Sequence, residues 1–240
     1  MSERILICIP CIVNPHVIKE CVQSILYKPN VHIILLDNGA DQDVKDLLLG
    51  YAKYGNVNVW QNNQNEYVNK PWNVFMKYFM NSELWDRLII MNSDLVMHMN
   101  WDIILNMLWK EGPDLIMVPT LLDDKTEMFR STIRKKEMKE SPNPPGIFIT
   151  LNKRQCELVY PIPEEKIKVW FGDGWIYAIL NAMGYKVFTP RSLKAFHHTS
   201  ESVNRVPGVK EIIEEDKIAW RDAVEQIMKE RIQQLKNLYL

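Results

Sequence analysis

Glycine is scarce in this chain: nine among 240 residues, with no G-x-G-x-x-G and no G-x-x-x-x-G-K motif. That removes the glycine-rich turn at a helix start as the main cradle for a phosphate. Cysteine is scarce too. Cys8, Cys11, Cys21 and Cys156 are too few and too unevenly spaced for a disulfide framework, and Cys8-x-x-Cys11 lacks the second pair of a zinc knuckle. A redox pair of the thioredoxin type opens a helix, whereas Cys8 lies inside an apolar strand. Neither sign of charge is in excess, at 29 basic against 30 acidic residues, so nothing marks a nucleic-acid or anionic-membrane surface. No apolar run approaches the roughly 20 residues of a membrane span. The N-terminal MSERILICIPCIV, broken by Pro10, reads as a buried strand and a poor signal peptide, so a cytoplasmic, soluble protein is expected.

What is present is ordinary globular composition, 47% hydrophobic and 25% charged, with length for one domain and an appended tail. Apolar runs predict strands at residues 4–10, 31–36, 57–60, 88–91 and 115–119, continuous as buried parallel strands are. Helical spacing predicts helices between them: one opened by Asn14 as cap and Pro15, then 44–51, 71–80 and 103–109. Strict β-α alternation argues for a mostly parallel sheet with right-handed crossovers. Residues 123–146, with Arg130, Arg134, Lys135 and Lys136, read as a loop that is either a solvated basic face or a lid. A strand at 147–151, a helix at 173–183, a short strand at 185–189 and helix from Val209 onward complete the chain.

In open parallel sheets ligands bind beyond the carboxyl ends of the strands. Asn14, Asp37, Asn38, Asn62, Asn65, Asn92 and Asp94 gather there. Any one alone is a turn residue; four strands ending this way indicate a ligand edge. If the ligand is a nucleoside diphosphate, a cation held by a carboxylate must replace the missing glycine cradle, and Asp94 is best placed for it.

The set Ile9-Pro10, Asn14, Asp37-Asn38-Gly39, the 62–73 stretch, Asn92-Ser93-Asp94, Gly172-Asp173 and His197/His198 resembles, in order and spacing over residues 4–204, the family 2 glycosyltransferases of the GT-A fold. The resemblance implies an α/β, single GT-A-type (Rossmann-like) domain over residues 1–207, its mostly parallel central sheet flanked by helices, with a C-terminal helical extension over 208–240. It implies donor contacts from Pro10, Asn14, Asp37, Asn38, Asn62, Asn65, Asn73, Asn92 and Ser93, with Asp37 toward the nucleobase. Trp72-Asn73 stands where the family commonly has Arg-Asn, and Lys70 is the substitute cation. Asn92-Ser93-Asp94 replaces D-x-D, leaving Asp94 as the main metal contact and one negative charge fewer. Asp173 is implied as general base, a role compatible with an acid's preference for a helix start. His197 or His198 completes the metal shell or touches the diphosphate, with His198 preferred, and Ser200 and Ser202 are nearby candidates for phosphate oxygens.

The implied reaction moves a sugar from a nucleoside diphosphate donor, UDP-linked by preference and GDP- or dTDP-linked as alternatives, to a hydroxyl of a glycan or other acceptor, with Mn²⁺ or Mg²⁺. Inversion is the default because no dedicated nucleophile stands out. A retaining transferase and a degenerate nucleotide- or glycan-binding domain are the alternatives. A sugar-nucleotide-forming enzyme would carry glycine in the first loop, and residues 9–15 have none.

Overall fold

The computed structural model describes residues 2–130, 138–141, 144–198 and 205–239. In chain order the elements are β1 (Ile5–Cys11), α1 (Pro15–Ile25), β2 (Val31–Asn38), α2 (Gln42–Tyr51), β3 (Val57–Asn62), α3 (Asn69–Met80), β4 (Arg87–Met91), β5 (Leu95–Met97), α4 (Trp101–Glu111), β6 (Ile116–Met117) and β7 (Thr120–Leu122). A 3-10 turn (Lys125–Arg130) follows, then β8 (Met138–Glu140), β9 (Phe148–Leu151), α5 (Lys153–Val159), α6 (Gly172–Ala182), β10 (Val187–Pro190) and β11 (Lys194–His197). The C-terminal part is α7 (Val209–Ala219), a π-helical turn (Trp220–Val224) and α8 (Glu225–Tyr239).

An unbroken apolar strand has two faces to bury. Ile5, Ile7, Ile9 and Cys11 of β1 enter one core and Leu6 and Cys8 a second, and β2 and β4 divide in the same way. The first core is closed by α1, α2 and α4. The second is closed by α3, α5, α6 and the C-terminal helices, of which Val224 and Leu235 are buried. Cys8 and Cys11 thus face opposite layers and cannot share a metal. All four cysteines are buried free thiols, and burial pushes the Cys8 and Cys11 thiols well up.

The main sheet has the order β3-β2-β1-β4-β9. Its first three pairings are parallel and β9 is antiparallel on β4. The expected strand at 115–119 is therefore not the fifth strand of this sheet. β9 takes that edge, and β6 runs beside it through the Thr150 hydroxyl, which accepts from Met117 N at 2.8 Å. Pro119 cannot continue a ladder; β6 joins β10 and β8, and β7 turns away to join β11 and β5. That last three-stranded sheet positions the site, because β11 returns antiparallel on β5 with His197 opposite Leu95. Arg134, Lys135, Lys136, Ser200 and Ser202, singled out from sequence, lie outside the described residues. Among the described residues no helix is long and apolar enough to cross a membrane.

Candidate active site

A cavity of about 780 Å³ opens at the carboxyl ends of β1, β2 and β4. It brings together Pro10, Asn38, Asn65, Asn92, Ser93, Asp94, Asp173 and His197 from the sequence-derived set.

The β2 side is an amide network. Asn38 Nδ2 donates to Asn65 Oδ1 (3.2 Å) and to Tyr67 O (2.7 Å), while Asn38 Oδ1 accepts from Asn62 Nδ2 (2.9 Å) and Glu66 N (3.2 Å). Asn38 is fully spent on shaping the wall, and Asn65 Nδ2 is the NH₂ group of the trio that these bonds leave unused. Asp37 is buried at 3% exposure, accepts from Ala40 N at 2.8 Å and does not line the cavity. It holds the turn at Gly39, whose φ of +74° and whose missing Cβ, which would lie 2.4 Å from Asn65 N, both require glycine.

The β4 side carries two potential metal ligands. Asp94 Oδ1 and His197 Nε2 lie 3.2 Å apart. Both atoms are buried, and neither has a hydrogen-bond partner. They face each other at ion-pair distance without hydrogen-bond geometry, and a carboxylate oxygen beside an imidazole nitrogen is a fitting pair for a divalent ion. Among the described residues no group of three or more His, Cys, Asp or Glu side chains converges, so the described residues supply two ligands at most from that set. His198, the histidine preferred from sequence, is turned away: its ring contacts Glu20 Oε2 at 2.9 Å, and its backbone N–H donates to Asp94 O at 2.9 Å. Residues alternate along β11, so only one of the adjacent histidines reaches the cavity, and it is His197.

Asp173 sits in the first turn of α6. Its burial lifts the carboxyl above the ordinary value, opposed by backbone N–H bonds that include those of Gly174 and Gly146. Gly146 approaches so closely that a Cβ there would lie 2.5 Å from Asp173 Oδ2. One helical turn on, Tyr177 also lines the cavity, and its hydroxyl is buried without a partner. Trp170 stands at the rim, 41% exposed.

Two expected donor contacts, Lys70 and Asn73, do not line this cavity. Lys70 pairs with Glu66 at 2.6 Å, and with Asn73 it lines a separate cavity of about 550 Å³. Asn73 clamps the backbone of Ile162, donating to its O and accepting from its N, each at 2.8 Å. Trp72, between them on α3, faces the first cavity instead. Asn14 does not cap α1 with its side chain. It takes the left-handed conformation (φ 64°), which Asn tolerates, and lies off the cavity wall.

Sequence reasoning missed Asn69 and Asp216. Asn69 Nδ2 donates to Ile167 O (2.8 Å) and Trp170 O (3.1 Å). Asp216 accepts from three backbone N–H groups just ahead of Asp173. Asn69 lay within the asparagine-rich stretch already noted; Asp216 lies in an acidic helix run that gives no signal.

The sequence model of glycosyl transferase family 2 matches residues 6–164. The chain belongs to that family, and its fold is GT-A. Three solved structures share the fold: GalNAc-T7 with UDP, GalNAc and Mn²⁺ (TM-score 0.66, 15% identity, 82% of this chain and 43% of that one); TarS 1-349 of S. aureus (0.62, 15%, 93% and 66%); and the mannosyltransferase PcManGT of Pyrobaculum calidifontis with GDP-Man and Mn²⁺ (0.63, 11%, 93% and 66%). The chain thus spans between 43% and 66% of the length of these proteins. No curated protein matches it by sequence.

Proposed function

We propose that this glycosyltransferase transfers a sugar from a nucleoside diphosphate sugar, UDP-linked by preference, to an acceptor hydroxyl with inversion. The observation that carries the reading is a single cavity holding the Asp94–His197 pair on one wall and the half-buried Asp173 carboxylate on another. The UDP and GDP-Man complexes of the GT-A neighbours support a nucleotide-sugar donor.

Asp94 and His197 would hold the ion, Mn²⁺ by preference and Mg²⁺ as alternative. Bound there, a divalent ion stabilises the negative charge that builds on a departing diphosphate. Asn65 Nδ2 is available to the nucleotide, within a wall that Asn38 and Asn62 keep rigid. Asn92 and Ser93 add polar contacts at the end of β4. Asp173 takes the proton from the acceptor hydroxyl as its oxygen bonds to the anomeric carbon and the bond to the diphosphate breaks. Its raised pKa suits a base that receives a proton late in that step. Trp170, exposed at the rim, offers an aromatic face to an acceptor sugar.

Donor hydrolysis and thermal stabilisation across UDP-, GDP- and dTDP-sugars, with and without Mn²⁺, test the reading. Metal-dependent stabilisation with slow release of one nucleotide is expected, and Asp173→Asn should keep the stabilisation and lose the release. A folded protein that neither binds nor hydrolyses any donor would overturn it.

A further inference from the structure

The segment that delivers Asp173 has its backbone held by side chains from two distant helices. Residues 167–170 form no regular element. On one side, Asn69 at the start of α3 donates to Ile167 O and Trp170 O, while Lys168 O accepts from Val68 N and Asn69 N, each at 3.0 Å. On the other side stands Asp216 of α7, at 1% exposure. Its Oδ1 accepts from Lys168 N (2.8 Å), and its Oδ2 accepts from Val169 N (2.7 Å) and Trp170 N (2.8 Å). Three consecutive N–H groups converge on one carboxylate, a charge-assisted arrangement stronger than three neutral bonds.

Four residues after Asp216, on the same helical face, comes Trp220. Its ring stacks on Phe171 at 4.9 Å and 19°. A Cβ on Gly174 would lie 3.5 Å from the same ring. Phe171 is itself left-handed (φ 63°), a conformation that costs energy in a bulky residue and persists only when its surroundings enforce it. The C-terminal helices therefore grip the chain immediately before Asp173, through 168–170 and Phe171, and immediately after it, at Gly174.

We propose that Asp216 is a positioning residue for glycosyl transfer: its carboxylate fixes the 168–170 backbone and so sets where the Asp173 carboxylate stands in the cavity. Trp220 completes the grip. A role confined to docking α7 would not require the carboxylate to spend itself on the three residues leading into the catalytic turn. The inference rests on Asp173 being the base, and it predicts a loss in the chemical step with donor binding spared. Displacing a reacting group by about 1 Å costs on the order of 100-fold.

The first variant is Asp216→Asn in the full chain. The amide can still accept at one oxygen position, but its NH₂ confronts at least one backbone N–H. With the donor and Mn²⁺ that serve the wild type in the panel above, hydrolysis should fall about 10- to 100-fold, with donor-induced thermal stabilisation retained. Amide hydrogen exchange over residues 167–175 should accelerate. Asp173→Asn/Asp216→Asn should be no slower than Asp173→Asn alone, since a positioning residue has nothing left to position. A hydrolysis rate within about twofold of wild type, loss of donor binding in step with rate, or a multiplicative loss in the double variant would each overturn the proposal. If Asp216→Asn does not fold, Trp220→Leu, which leaves the carboxylate in place, should give the same pattern at smaller amplitude, and an unchanged rate there would count against the grip. Silence of the wild type with every donor removes the transferase reading, and exchange then decides alone: unchanged protection across 167–175 refutes any hold by Asp216.

Discussion

The two walls of the cavity are built on different principles. The wall from β1, β2 and β4 rests on a parallel ladder whose register runs unbroken from Ile5↔Val31 to Cys11↔Asp37, and the amides beyond it bond within the same edge. The wall around Asp173 follows an irregular segment held by isolated side chains: Asn69 reaches across 98 and 101 residues, and Asp216 across 46 to 48. A ladder spreads positional control over many bonds, so no single side chain decides it. An irregular segment concentrates that control in one or two residues, and damage there should be local in stability yet large in rate.

The most severe test is on the second wall. Asp173→Asn should lower donor hydrolysis and transfer by about 10²- to 10⁴-fold, read from kcat, with donor binding intact. The pH profile sharpens the same point. Burial raises the Asp173 pKa and the base must be deprotonated, so activity should fall as pH drops through an acid limb lying above the ordinary aspartate value. Asp173→Asn should abolish that limb. The stability sign is opposite: a raised carboxyl pKa favours the folded state fully only below its unfolded value, and that contribution disappears as pH rises through the folded pKa.

Next comes the pair of adjacent histidines. His197→Ala should weaken Mn²⁺-dependent stabilisation by at least about tenfold, and His198→Ala should leave it largely intact. Equal effects would mean that the alternation along β11 does not decide which ring serves the cavity.

Two glycines compare the walls in stability. Gly172→Ala would drive a Cβ to 2.0 Å from Asn69 Oδ1, an overpacking cost of about 1–3 kcal/mol. Gly39→Ala meets backbone at 2.4 Å from a left-handed φ, which adds about 1–2 kcal/mol with no side chain able to yield. The urea midpoint should therefore drop further for Gly39→Ala, whereas hydrolysis per folded molecule should drop further for Gly172→Ala. Smallest in kinetics is Asn73→Ala. Losing its clamp on Ile162 should cost about 1–3 kcal/mol while leaving donor KM unchanged, and a raised KM would return Asn73 to the donor site.

Periodicity made the first wall legible. Continuous apolar runs required a two-sided sheet, and the strand-end residues Asn38, Asn65, Asn92 and Asp94 followed from where such runs stop. Asp173 was legible only through the order of motifs, because as an acid at a helix start it looks like a cap. The edge exchange between residues 115–119 and β9 was not legible, since a short strand carries no information about which neighbour it will pair with. Lys70 and Asn73 fall outside the first cavity for a related reason. Both lie on α3 near Trp72, but successive helical residues are rotated by about 100°, and it is Trp72 that faces the cavity. Asp216 left no trace because its partners are backbone N–H groups, which every sequence has.

Asn69 has a consequence for recombination among relatives. It belongs by position to the stretch the family model covers, and by its bonds to residues 167–170 beyond it. A chimera joined near residue 164 would separate this side chain from the loop it evolved to hold and from Gly172, whose bare Cα leaves room for it. Grafting a new C-terminal part onto this N-terminal part therefore requires Asn69, Gly172 and Asp216 to be inherited together, as one unit assembled from three places in the chain.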